Sequence, residues 1–279
     1  MKHIAAIVVW LSFVSVVHAQ QRPLVTEDPE TVGSGNVLIE GGVDYQRDVF
    51  YPTSGLSGHL LRLPTLGVSF GLSSIAELQI DGGFYNRLTV TSREPGPLAD
   101  ELTFTGDRTT DVEDLVIATK IRLIGETAGR PAFAVRIATR LPNASTESGI
   151  GLDTTDFFVS MLFGKTVQSI RVVGNAGLGI LTDPTRGFRQ NDVLTYGVSF
   201  ARAVRQGIEV VGEVNGRLGL RDHDTPIGTE SRSVLRVGAR ATRNTVRVDG
   251  ALLIGLTSPD TSVGFTAGVT WVFRGFTIP

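Results

Sequence analysis

The sequence predicts an all-β protein, a transmembrane antiparallel β-barrel of about 12 strands that follows a cleaved signal peptide. Three observations carry this reading. Apolar and polar residues alternate with a period of two along most of the chain. The alternating runs are even in number. The segments joining them switch between long and short, as in an outer-membrane barrel with short periplasmic turns and longer external loops; a soluble β-sandwich has no reason to sort its loops this way. Composition narrows the field further. With 41% apolar and 19% charged residues the chain has ample surface to bury, which excludes a disordered protein. The absence of Cys excludes a disulfide scaffold and Cys-based zinc or redox sites. A near balance of 26 basic and 28 acidic residues gives no electrostatic case for a nucleic-acid partner.

The elements follow in order. Lys2 and His3 precede an apolar run, Ile4 to Val17, and Val17-His18-Ala19 resembles a small-residue cleavage site, so 1–19 is expected to be a signal peptide. The run is short for a membrane helix, which needs about 20 apolar residues. Residues 20–35 are polar with two prolines and are expected to form a flexible lead-in. The barrel is expected over 36–273, followed by a C-terminal extension, 274–279.

Within it, 12 runs alternate: 37–45, 66–70, 78–84, 115–123, 133–141, 157–163, 170–180, 194–200, 208–218, 235–239, 246–254 and 263–273. The long connections are 51–62, 91–111, 143–154, 183–191, 222–230 and 257–262; the short ones are 72–74, 125–130, 164–168, 204–207 and 242–245. A lipid-facing Arg or Lys at mid-membrane costs about 2–4 kcal/mol, so the charged face of each run must look into the lumen. That assigns to the lumen Glu40 and Asp44 of the first run, Glu77 and Asp81 of the third, Lys120 and Arg122 of the fourth, and Arg136 and Arg140 of the fifth. Arg171 of the seventh, Glu213 and Arg217 of the ninth, Arg236 and Arg240 of the tenth, and Arg247 and Asp249 of the eleventh join them. Acids on runs one and three facing bases on four and five would set a transverse field that orients polar solutes. The same residues also suit a neutralising network that fills the barrel, because buried ions must pair.

Tyr45, Phe70, Phe84, Phe157, Tyr196 and Phe273 stand at run ends and are expected in interfacial girdles. Arg outnumbers Lys by 23 to 3. Arg93, Arg108, Arg186, Arg189 and Arg232 are read as external and suited to lipopolysaccharide phosphates, although genomic base composition explains the bias as well. After the signal peptide only His59 and His223 remain. Asp222-His223-Asp224 reads as a solvated loop rather than a metal site. With no spaced His pair, phosphate loop or nucleophile motif, neither an enzyme nor a cofactor is expected.

A resemblance enters with Asp114 to Leu123, Arg130-Pro131-Ala132-Phe133-Ala134-Val135-Arg136 and Arg140-Leu141-Pro142. These stretches resemble a hairpin of the meta-pathway phenol-degradation family of bacterial outer-membrane transporters. Asp156-Phe157-Phe158 through Gly174-Asn175-Ala176-Gly177 is similar to that family's next hairpin. The likeness covers 115–180, with a looser fit from Leu66 to Val90; Glu113 and Ile121 depart from it, standing where Gly and Tyr are common. It implies an outer-membrane transporter of a double-membraned bacterium, linked to phenolics by pathway association, with no catalytic residues. Trp271 and Phe273 resemble the C-terminal assembly signal of such barrels, here followed by Arg274 to Pro279. The expected role is passive, porin-like transport of small solutes, aromatic or hydrophobic ones among them. The alternative is a non-conducting structural or surface-interaction barrel with an ion-paired, plugged lumen. Expected partners are outer-membrane lipid and lipopolysaccharide, the barrel assembly machinery and a small-molecule solute.

Overall fold

The computed structural model describes residues 22–221 and 224–277, so the expected signal peptide and the loop tip Asp222-His223 lie outside the described residues. Among the described residues the strand segments are β1 Asn36–Tyr51, β2 Leu56–Gly71, β3 Ala76–Gly83, β4 Asn86–Arg93, β5 Arg108–Asp111, β6 Val116–Ile124 and β7 Ala132–Arg140. They continue as β8 Asp156–Val167, β9 Ile170–Thr182, β10 Gln190–Arg205, β11 Ile208–Gly219, β12 Arg232–Arg243, β13 Val246–Gly255 and β14 Val263–Arg274. All pairings are antiparallel, and β1 pairs with both β2 and β14, which closes the sheet. Because β3 and β4 both pair with β2, they are two halves of one barrel strand, and β5 with β6 forms the next. The barrel therefore has 12 strands, as the alternating runs predict.

The break between β3 and β4 has a local cause. Pro64 has no N–H to donate, and a proline inside a sheet is accommodated at a bulge. β2 shifts register against β1 between Gly42 and Asp44 at this height, while Leu63 N donates to Tyr85 O across the gap. Phe84 therefore lies at the break rather than in a rim girdle. The other aromatics do gather toward the ends: Tyr45 packs on Phe265 near the long-loop end, and Trp271 on Phe273 near the short-turn end.

The outer face is apolar and unpartnered. Val198, Val237 and Leu252 are each more than half exposed, with Ile137, Val159 and Leu178 in the same belt. Such a contiguous surface is stable only against lipid or a partner.

At one end the strands are joined tightly, with left-handed residues at the corners: Gln168, Gly207 and Asn244 take φ of 56°, 72° and 55°. At the other, the long connections are 94–107, 141–155, 183–189, 220–231 and 256–262. The first connection departs from expectation. It spans 52–55 and not 51–62, because β1 and β2 extend upward around a buried cluster of Val49, Leu56, Leu60 and Leu88, roofed by Leu102, Phe104 and Ile150 from the long loops.

The lead-in expected to be flexible is the larger correction. The described residues 22–35 lie inside the barrel, running from its middle down to the short-turn end, where Gly35 N donates to Gly71 O. At the other terminus Gly275 N and Phe276 N donate to Gly35 O, so the C-terminal extension folds back onto the start of β1.

Candidate functional site

Every charged residue assigned to the lumen from the alternation faces inward. Neighbouring strands place several of them in direct ladder pairs, the geometry in which opposite charges stabilise a sheet. Glu77 stands opposite Lys120, at 2.9 Å; Glu213 opposite Arg236, at 2.8 Å; and Glu209 opposite Arg240, at 2.7 Å. Arg140 pairs with Asp156 and lies 3.7 Å from Asp114. These lateral pairs correct the expected segregation across the lumen: Glu77 and Asp81 sit on β3, hydrogen-bonded beside β6, and so answer the bases of their own wall. Asp81 is 3.7 Å from Arg136.

The wall charges that meet the inner segment are divided between opposite walls. On one side β1, β14 and β13 present Glu40 and Asp249 among Thr266 and Thr270. Across from them β6, β7 and β9 present Lys120, Arg122, Arg136 and Arg171. The segment 22–35 lies between these walls with matching charges. Arg22 reaches the acidic side, 3.5 Å from Asp249, donating also to Thr65 and Thr266, while its backbone N–H points at Glu40.

The acids Glu27, Asp28 and Glu30 reach the basic side. Glu27 is 3.4 Å from Lys120 and 3.2 Å from Arg136; Asp28 takes a two-pronged contact from Arg171 at 2.7 and 2.9 Å; Glu30 pairs with Arg122. Wall groups also satisfy the segment's backbone: Glu213 accepts from Val25 N and Thr26 N, Asn175 from Glu27 N, and Glu77 from Val32 N. Two small apolar footholds complete it, Leu24 against Ala201 and Val211, and Val32 against Leu38 and Val272. Sequence reasoning missed this role because the segment has no periodicity.

Glycines on the wall mark its path. A Cβ on Gly268 would come within 2.4 Å of the Arg22 guanidinium, one on Gly197 within 2.7 Å of Thr26, and one on Gly71 within 1.8 Å of the Gly33 carbonyl oxygen. Glycines among small inward residues, such as Gly268 between Thr266 and Thr270 and Gly197 between Thr195 and Ser199, are the signal the sequence did contain.

The other assigned residues have local roles. Asp44 accepts from Gln46, and Arg247 donates to Thr242. At the short-turn end Glu126 binds Lys165 at 3.0 Å and accepts from Thr166 N at 2.7 Å, with Arg171 beside it. Burial pushes its carboxyl up, but these donors outweigh that and hold it below the usual carboxylate range. In the long loop 183–189, burial likewise raises Asp183, and the hydroxyl and N–H of Thr185 with the N–H of Arg186 bring it below the usual range.

The arginines read as external are partly engaged in the protein. Arg93 donates to Gly106 O and covers the Phe104 ring; Arg189 pairs with Asp224 at 2.9 Å. Arg232 is not external: it stands opposite Arg217 in the ladder and looks into the lumen.

Among the described residues two cavities lie above the inner segment, of about 460 and about 360 Å³, and Val25, Arg136 and Phe158 line both.

No family model and no curated protein matches the sequence, so the likeness to the meta-pathway family rests on its quoted motifs alone. Solved structures match in shape. The COG4313 outer membrane channel from Pseudomonas putida F1 superimposes with a TM-score of 0.62 at 12% identity, over 88% of this chain and 98% of that one. This is an outer-membrane barrel fold. The β domain of the Bordetella autotransporter BrkA gives a TM-score of 0.48 at 12% identity, over 87% of this chain and all of that one. The translocator domain of the autotransporter NalP from Neisseria meningitidis gives 0.47 at 14%, over 86% and 89%.

Proposed function

We propose that this outer-membrane barrel moves small solutes passively through its lumen, and that residues 22–35 form an internal stop that shifts before the lumen conducts. The observation that carries this reading is the chemistry of the stop. Among the described residues it is joined to the wall covalently only at Asn36, and it is held mainly by ion pairs and hydrogen bonds that water replaces when the segment moves. A barrel sealed permanently would gain more from an apolar filling, since a buried ion pair is often no more stabilising than packed hydrophobic residues of the same volume.

The solute class follows from the cavity next to the stop. Leu24, Val25 and Phe158 line it beside Arg136, Arg140 and Asp81, so small molecules with one apolar and one polar end fit it, aromatic ones included. In this reading the protein resides in the outer membrane of a double-membraned bacterium, its apolar belt against lipid and lipopolysaccharide. The assembly machinery would read the strand that ends in Trp271 and Phe273. The chain acts without catalysis or a cofactor.

A second reading, a closed structural barrel, is favoured by the ion pairing along 22–32. Single-channel conductance in planar bilayers separates the two, comparing the mature protein with a variant lacking residues 22–31. A small conductance that rises on deletion is the expected result. A deletion variant that folds, inserts and conducts no more than the parent would establish the closed barrel.

A further inference from the structure

The two cavities above the stop differ in charge. The larger is lined by five carboxylates and four guanidinium groups, close to balance. The smaller is lined by three guanidinium groups, Arg136, Arg217 and Arg232, and one carboxylate, Asp260. Arg217 and Arg232 are direct partners across β11 and β12, both pointing inward, and like charges so placed destabilise a sheet unless something is held between them.

Their own partners only partly relieve this. Arg232 donates to Pro259 O at 3.0 Å and lies 3.8 Å from Asp260. Arg217 is gripped by neutral groups, donating from Nε to Glu230 O at 2.8 Å and from one terminal nitrogen to Gly228 O at 3.1 Å. Among the described residues no carboxylate stands within ion-pair distance of it. Gly228 and Glu230 thus fix the plane of the guanidinium through their carbonyls, with no described carboxylate in direct contact, beside a space that Val25, Phe158 and Val234 line with apolar surface.

We propose that this cavity binds a small organic anion, its carboxylate bridged by Arg217 and Arg232 and its apolar body against Phe158. Arginine forks match a carboxylate in two parallel hydrogen bonds, and a fork held in advance loses little freedom on binding. This rests on the reading of the lumen as a solute path and names the class of solute for it. The neighbouring balanced cavity would give the same solute no charge preference.

The test is a titration of the mature, detergent-solubilised protein by calorimetry with benzoate, acetate, benzyl alcohol and inorganic phosphate. Benzoate is expected to bind one saturable site, acetate more weakly and benzyl alcohol not at all. Arg217→Gln is expected to weaken benzoate by about tenfold or more, the scale of a charged hydrogen bond. Arg217→Lys, which keeps the charge without the fork, should fall between, and Arg243→Gln, at the other end of the barrel, should leave binding unchanged. Heat-modified gel mobility reports folding of each variant; should Arg217→Gln misfold, Arg217→Lys and Arg232→Gln decide. Absence of saturable benzoate binding, equal binding of benzyl alcohol, or phosphate binding as tightly as benzoate would each overturn the assignment. Because binding is read without conduction, failure of this site and failure of the conduit reading appear separately.

Discussion

The guanidinium of Arg22 stands 3.5 Å from the carboxylate of Asp249, whose side chain has no exposed surface. This contact joins the first described residue of the chain to the acidic wall of the barrel, and it anchors the upper end of the internal stop. Removing Arg22 takes one guanidinium away from a buried carboxylate and leaves it Arg240, its partner across β12 and β13, so the segment is held less tightly. The segment therefore leaves more often. Arg22→Ala is expected to speed amide exchange across 22–32 and to raise single-channel conductance. Gly268→Leu should do the same by steric means, since the atoms nearest to a Cβ at that position belong to the Arg22 side chain. Unchanged exchange in both variants would show that the stop is anchored elsewhere.

The acids of the stop neutralise the wall of β6, β7 and β9. Changing Glu27, Asp28 and Glu30 together to Gln, Asn and Gln leaves Lys120, Arg122, Arg136 and Arg171 with only the wall carboxylates Glu77, Asp81 and Glu126 to answer them. The lumen then carries excess positive charge, and rings of one sign set pore selectivity. Reversal potentials in a KCl gradient should move toward anion preference, and Arg136→Ala added to the triple variant should move them back. A shift toward cations would contradict the charge assignment of this wall.

Glu126 ties the short-turn connection 125–131 to Lys165, Thr166 and Arg171. Its carboxyl is held below the usual range, so it stabilises the turn above the ordinary carboxylate pKa and loses that contribution as pH falls through its own lowered value. The protection of the Thr166 N–H, its exchange rate relative to the intrinsic rate at the same pH, should be high near neutrality and fall in acid. In Glu126→Gln it should be lower at neutrality, with no acid step of this origin. A parent protein whose Thr166 exchange shows no such step would refute the linkage.

Leu252 is 60% exposed on the outer face of β13, in the middle of the apolar belt, while its neighbours Ala251 and Leu253 face inward and are buried. Arg at this position would enter the hydrocarbon layer at a cost of about 2–4 kcal/mol. Leu252→Arg is accordingly expected to lower folding yield into bilayers and shift the urea midpoint, whereas Arg243→Gln near the rim should do neither. Equal stability of Leu252→Arg and the parent would place the belt outside the membrane.

The sequence by itself determined the barrel. A period of two fixes which side chains share a face, and the cost of a charge in lipid fixes which face looks inward. Strand number and the inward position of residues as far apart as Glu40 and Asp249 were therefore legible without coordinates. The alternation of long and short connections was legible too, except at 52–55, where the packing of Leu56, Leu60 and Leu88 under distant loops extends the first hairpin.

Only the tertiary structure decided what occupies the lumen. Residues 22–35 have no repeat to betray a structure, because they are extended inside a surface made by every other strand. Their conformation is set by partners at Glu77, Lys120, Asn175, Glu213 and Asp249, brought together by barrel closure. For the same reason Arg232 reads as an external charge in sequence and as the neighbour of Arg217 in space. Alternation is a local property of the chain, whereas charge compensation across a lumen exists only after β1 has met β14.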